Sequence, residues 1–148
     1  MNGIININKP KGITSFDVIR KLRRILREKA IGHTGTLDPM ATGVLVICVG
    51  GATRLAQDIE AQEKTYIANL DLGYRTDTLD VTGEVLERKN FIPPSKEAFT
   101  EVCNSFLGDI EQIPPMYSAI KIDGQKLYDL ARQGIEVERK PRPVTMNE

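Results

Sequence analysis

The sequence is poor in the residues from which most metal and covalent sites are built. It holds a single histidine, His33, and two cysteines, Cys48 and Cys103. One histidine excludes a histidine-rich metal site within one subunit, and neither a Cys-x-x-Cys nor a His-x-x-x-His spacing occurs. There is no Gly-x-x-x-x-Gly-Lys-Ser/Thr loop to cradle a nucleotide and no Gly-x-Ser-x-Gly nucleophile elbow. No apolar run approaches membrane-spanning length, and residues 1–11 lack the charged-then-apolar layout of a signal peptide. Both cysteines sit in apolar patterns and read as reduced core residues, so the expected compartment is the cytoplasm. What remains is a reaction that uses no metal and no cofactor and is run by a carboxylate.

At 148 residues, 41% apolar and 27% charged, the chain has the composition of one ordinary globular domain. Formal net charge is zero, which argues against a sequence-blind nucleic-acid glue. The charge is unevenly spread, however. Between Lys9 and Lys29 eight basic residues stand against two acids, a net of +6, so the rest of the chain carries −6. Such asymmetry points to a localised polyanion site.

Periodicity supplies the elements. Ile5 and Ile7 alternate with Asn6 and Asn8, which predicts a short strand at 3–8. Ser15 is a good N-cap for a helix over 16–29, with Ile19, Leu22, Ile25 and Leu26 on one face and Arg20, Arg23, Arg24 and Arg27 on the other. Those arginines could be a solvated face, but they have few acids at i,i+4, which favours phosphate contact. Residues 44–49 form an apolar run of buried-strand length, 52–62 a short helix, and 64–72 an alternating half-buried strand. Further on, strands are expected at 84–87, 117–122 and 135–138. Helices are expected after Ser95, with Phe99, Val102, Cys103 and Phe106 inward and Gly108 as stop, and over 125–133 with Leu127, Leu130 and Ala131 inward. Asp123-Gly124 is a turn signal, residues 73–83 favour Asx and ST turns, and 139–143 read as a basic, proline-broken tail. There is no internal repeat and no sign of a second domain.

The chain is organised around Gly32-His33-Thr34-Gly35-Thr36-Leu37-Asp38-Pro39-Met40-Ala41-Thr42-Gly43-Val44-Leu45, a glycine-rich loop feeding the apolar strand. Pro39 biases Asp38 to an extended backbone, and Gly35 and Gly43 allow positive φ or close approach. A carboxylate on a proline-stiffened loop anchored to a core strand can be held still for chemistry, although Asp before Pro also caps turns. This stretch resembles, without a gap, the catalytic motif of the bacterial tRNA pseudouridine synthase B family. Lys9-Pro10, Gly12, Thr14 and Ser15 resemble its Lys-Pro-x-Gly-x-Thr-Ser motif, and Lys64-Thr65-Tyr66 its Lys-x-Tyr motif, with Tyr66 28 positions after Asp38. Arg75-Thr76-Asp77-Thr78-Leu79-Asp80 and residues 112–121 are similar to further family segments, so the resemblance runs from Lys9 to about Pro143.

The resemblance implies an α/β (α+β) fold, a mixed and largely antiparallel sheet flanked by helices, incomplete at its C-terminal side. It implies that residues 1–148 are the N-terminal portion of a catalytic domain. The later half, with an arginine that pairs with the catalytic aspartate, and a small RNA-binding domain are expected to be absent, which would leave this piece inactive alone and prone to self-associate through an exposed sheet edge. The implied reaction is isomerisation of uridine to pseudouridine in the T-loop of tRNA, on a base extruded from its stack. Asp38 would be the catalytic group, attacking the ribose C1′ or the pyrimidine ring or taking a ribose proton. Tyr66 would stack on the uracil, and His33 would fill the gap the base leaves or stack on neighbouring loop bases. Lys9, Arg20, Arg24, Lys64 and Arg75 are candidates for phosphate contact. The alternative is a non-catalytic RNA-binding or tRNA-folding module on the same fold.

Overall fold

A computed structural model describes every residue from Met1 to Glu148. The chain divides into two units, Met1–Ile67 and Ala68–Glu148. No helix is long and apolar enough to cross a membrane.

The first unit is a three-stranded antiparallel sheet under one helix. Strands β1 (Gly3–Lys9), β2 (Ile31–His33) and β3 (Gly43–Val49) lie in the order β1-β3-β2. Ile5 pairs with Ile47 and Ile7 with Leu45, so the period-two pleat puts these four side chains on one face. Helix α1 (Ser15–Leu26) closes that face, packing Val18, Ile19, Leu22 and Leu26 against Leu45, Ile47 and Val49. Ile25, expected inward, is 73% exposed: it stands in the last turn at the outer margin of the apolar arc, on the Val18 side and farthest from Ile19. Val44 faces away from the helix and is also exposed, while Cys48 on the same face as Val44 is buried.

The start of α1 corrects the sequence reading by one residue. Thr14, not Ser15, is the N-cap: its Oγ1 accepts from the Asp17 amide at 3.0 Å, and the Asp17 carboxylate accepts from the Thr14 amide at 2.8 Å. Thr14 has an acid three residues on and Ser15 has a valine there, so only Thr14 can close a capping box. Ser15 is thereby released for another role. The helix ends at Arg27, whose φ of 52° is left-handed.

After β3, the chain forms a 3-10 helix (Gly50–Leu55) and then the short α2 (Ala56–Glu60), where one continuous helix was expected. The expected strand over 64–72 has no regular structure, and Ile67 is 99% exposed. Alternation marks a face that could be buried, but a strand also needs a neighbour to share its hydrogen bonds, and no strand pairs with these residues.

The second unit holds three two-stranded antiparallel sheets. β4 (Tyr74–Thr76) pairs with β5 (Val85–Arg88), β6 (Gly108–Gln112) with β9 (Arg142–Met146), and β7 (Lys121–Ile122) with β8 (Gln125–Lys126). The last hairpin turns at Asp123-Gly124, both with positive φ, 49° and 82°, as its sequence predicts. In the connection from β4 to β5 the Asp80 carboxylate accepts from the Thr82 amide and from the Thr78 and Thr82 hydroxyls. Helix α4 (Leu127–Arg132) buries Leu127 and Leu130. Helix α3 (Lys96–Asn104) has its Ser95 cap, donated to by the Ala98 amide, but buries nothing; Phe99, Val102, Cys103 and Phe106 are exposed. Gly108 opens β6 instead of stopping the helix, and residues 135–138 are not a strand. The expected tail supplies β9, which keeps Pro143 because each strand of a two-stranded sheet is an edge. The α/β character and antiparallel pairing agree with the family resemblance, with the strands shared among four small sheets instead of one.

The capping box gives α1 a pH signature. Hydrogen bonds from Thr14, and then from Arg20, hold the Asp17 carboxyl well below the usual carboxylate range. The folded state therefore gains from ionised Asp17 at pH above the ordinary aspartate value of about 3.9, and that gain is lost as pH falls below it toward the folded value. Urea titrations of the wild-type chain and Asp17→Asn will differ fully above about pH 4 and converge in stronger acid. Equal midpoints at neutral pH would contradict this.

Candidate active site

The connection from β2 to β3, residues 34–42, carries Asp38. Its side chain is exposed, and no hydrogen bond or ion pair engages the carboxylate. The backbone before and after it, in contrast, is hydrogen-bonded. Leu37, just before it, exchanges two hydrogen bonds with the Ser15 hydroxyl, which donates to the Leu37 carbonyl at 3.0 Å and accepts from the Leu37 amide at 2.9 Å. The Asp38 carbonyl accepts from the Ala41 amide at 3.0 Å, and the Pro39 carbonyl from the Gly12 amide at 2.7 Å. The Thr34 amide donates to the Val46 carbonyl at 3.1 Å and ties the loop's start to β3.

Lys9 corrects its expected place on the phosphate-facing surface. It is 0% exposed, and its ammonium donates to the carbonyls of Ile13 at 2.8 Å, Pro10 at 3.0 Å and Pro39 at 3.5 Å. The parity of β1 explains this: Lys9 follows Ile5 and Ile7 on the same pleat face and so points inward. The three carbonyl oxygens take the place of water around its Nζ.

Of the other candidates, His33 is half-buried on β2 opposite Ile47, and its Nδ1 accepts from the Gly35 amide at 3.4 Å. Lys64 turns its ammonium onto the carbonyls of Glu60 and Gln62, and its Cε lies 3.8 Å from where a Cβ on Gly35 would stand. Lys9, His33 and Lys64 therefore gather around the loop that carries Asp38. Tyr66, two residues beyond Lys64, is 69% exposed. On α1, Arg20 is ion-paired with Asp17, Arg23 lies over the Phe16 ring, and Arg24 is exposed without an acidic partner. Arg75 belongs to the second unit, where it is exposed on β4 opposite Glu87.

No three His, Cys, Asp or Glu side chains come together as a metal would need. Burial pushes the Cys48 thiol up, away from the thiolate that a nucleophile requires. Asp38 combines an exposed carboxylate with hydrogen-bonded backbone on both sides of it. Sequence reasoning missed Ser15 and Gly12 as supports of the loop. The signal was the Lys-Pro-x-Gly-x-Thr-Ser stretch, in which Lys9, Gly12 and Ser15 serve the loop's backbone.

The Lys9 contacts generate a stability prediction. Lys9→Met keeps most of the stem and removes the ammonium, taking the lysine donor from the part-buried carbonyls of Pro10 and Ile13, at a loss of about 1–3 kcal/mol. Urea unfolding followed by circular dichroism will show a lower midpoint; an unchanged midpoint would mean that the ammonium carries no structural load.

Comparison with known proteins bears on the same loop. Residues 23–148 match the family described as TruB family pseudouridylate synthase (N terminal domain). The chain is 62% identical over 146 residues to the tRNA pseudouridine synthase B of Fusobacterium nucleatum subsp. nucleatum, covering 99% of this chain and 50% of that protein. It is 53% identical over 146 residues to the protein of the same name from Clostridium kluyveri, with the same coverage. Among solved structures it is similar to a chain of a Cbf5-Nop10-Gar1 complex, with a TM-score of 0.57 and 27% identity, over 97% of this chain and 33% of that one. The chain spans about half the length of the curated relatives it matches. It belongs to the TruB family of pseudouridylate synthases and corresponds to the N-terminal domain of that family.

Proposed function

We propose that this chain supplies the catalytic aspartate of a tRNA uridine isomerase, acting within a protein that also carries the sequence its relatives have beyond it. The observation that carries the reading is the Asp38 loop: an unpaired carboxylate on a backbone bonded on both sides. The names of the relatives support tRNA as substrate.

In isomerisation the bond from C1′ to N1 of uracil breaks, the ring turns, a bond from C1′ to C5 forms, and the C5 proton leaves while N1 gains one. No redox change is involved. Asp38 acts at C1′, at the ring, or on a ribose proton, after the base has left its stack at a cost of a few kcal/mol. Tyr66 stacks on the extruded uracil, which fits a ring left open to solvent, and its hydroxyl helps remove the C5 proton. His33 meets the neighbouring bases of the T-loop. Arg24 on α1 and Arg75 on β4 offer exposed cations to the phosphates, whereas Lys9 supports the loop from within. With tRNA as substrate the reaction runs in the cytoplasm. Exposed apolar side chains of the second unit, Phe99, Val102 and Phe106 among them, would drive self-association of the chain when nothing covers them.

A chimera in which this chain replaces the N-terminal half of the Fusobacterium nucleatum relative tests the reading. Asp38→Asn in it will lower pseudouridine formation on a T-arm stem-loop by on the order of 10²–10⁴-fold while RNA affinity stays near normal. Near-full turnover would refute the assignment, and binding without product in the unsubstituted chimera would favour the RNA-folding module. Arg24→Ala will weaken binding and reduce the salt slope by about one, without changing the rate at saturation.

A further inference from the structure

We propose that Ser15 is a positioning residue for Asp38, fixing the direction in which the carboxylate leaves the backbone. The proposal rests on Asp38 being the reacting group. Ser15 sits at the first turn of α1 yet does not cap it, since Thr14 and Asp17 already close the capping box. The residue is 2% exposed, and its hydroxyl reaches across 22 positions of sequence to Leu37, where it serves both the amide and the carbonyl.

The geometry of that contact is what singles it out. The Leu37 carbonyl belongs to the peptide plane that enters the Asp38 Cα, and the Asp38 carbonyl belongs to the plane that leaves it. Peptide planes are rigid, so the position of an aspartate carboxylate depends on the two planes at its Cα and on two side-chain torsions. Ser15 holds the first plane and the Ala41 amide holds the second. Pro39 fixes the next φ, and Gly12 takes up its carbonyl. Both planes are held, so the exposed carboxylate can swing only about χ1 and χ2. Helix α1 is in turn fixed on β3 by Val18 and Ile19, so Ser15 refers the loop to the core of the first unit. Removing the hydroxyl takes from the part-buried Leu37 amide and carbonyl the partner they share, and the entering plane is free to turn toward other partners. A displacement of about 1 Å in a catalytic group lowers a rate by up to about 100-fold.

Two measurements test this. In the 148-residue chain, hydrogen exchange will show the Leu37 amide protected like that of Thr34, which is bonded to β3. Exchange at the rate of an open loop would overturn the proposal, whatever any variant does. In the chimera, single-turnover rates at saturating enzyme do not depend on the fraction folded. Ser15→Ala will lower that rate by about 10- to 100-fold with tRNA affinity within about twofold, and Ser15→Thr, which keeps the hydroxyl, will restore most of it. An unchanged rate in Ser15→Ala, or no recovery in Ser15→Thr, would refute the positioning role. If Asp38→Asn stays active in the same chimera, it is the isomerase reading that fails; if Asp38→Asn is inactive and Ser15→Ala is normal, the reading stands and this proposal falls.

Discussion

The antiparallel register between β1 and β3 is the constraint from which the site follows. Seven residue pairs run from Gly3↔Val49 to Lys9↔Gly43, and the last pair sets the end of one strand beside the start of the other. The turn after Lys9 and the loop before Gly43 must therefore meet. Where they meet, Gly12, Ser15 and Lys9 engage the backbone of Leu37 and Pro39, and Asp38 stands between those two anchored residues. A one-residue slip in the ladder would turn Ile5, Ile7, Leu45 and Ile47 away from α1, so the apolar core specifies the register and, through it, the loop contacts.

Much of the first unit was legible in the sequence because its local signals and its tertiary partners agree. The alternation at Ile5 and Ile7, the apolar run into Val49 and the amphipathic pattern of α1 each predict an element that finds its neighbour within the unit. Residues 64–72 have an equally clear alternation and no strand beside them, so the pattern there names a face without a partner. The same holds for α3, whose Ser95 cap and apolar spacing are correct for a helix that buries nothing. Cys103 shows the consequence: placed by pattern in a core, it is exposed, while Cys48 on β3 is buried as expected. β9 was hidden for the opposite reason, since prolines and basic residues advertise a loop but are compatible with an edge.

The candidate residues could be named from the sequence, and the side chains that support their backbone could not. Asp38 was singled out by the resemblance of residues 32–45 to the family motif, since an aspartate before Pro39 among glycines also fits a capped turn. Lys9 was not read as a support, because a lysine in a basic segment reads as surface until the pleat parity is counted, and Ser15 was hidden behind its value as a cap. Both side chains serve backbone atoms, which leave no trace in the composition of the loop they hold. The basic face of α1 is similarly divided by structure: Arg20 is satisfied by Asp17 and Arg23 by Phe16 and the Ile31 carbonyl, whereas Arg24 retains an uncommitted charge.

The measurement that bears most directly on the account is a crystal structure of the inactive Asp38→Asn chimera bound to a T-arm stem-loop. The account predicts a target uridine out of its stack, its base against the Tyr66 ring, with the substituted side chain at position 38 about 3–3.5 Å from an atom of the ribose or pyrimidine that reacts. A target base still stacked in the loop, or position 38 turned to solvent away from the nucleotide, would contradict it.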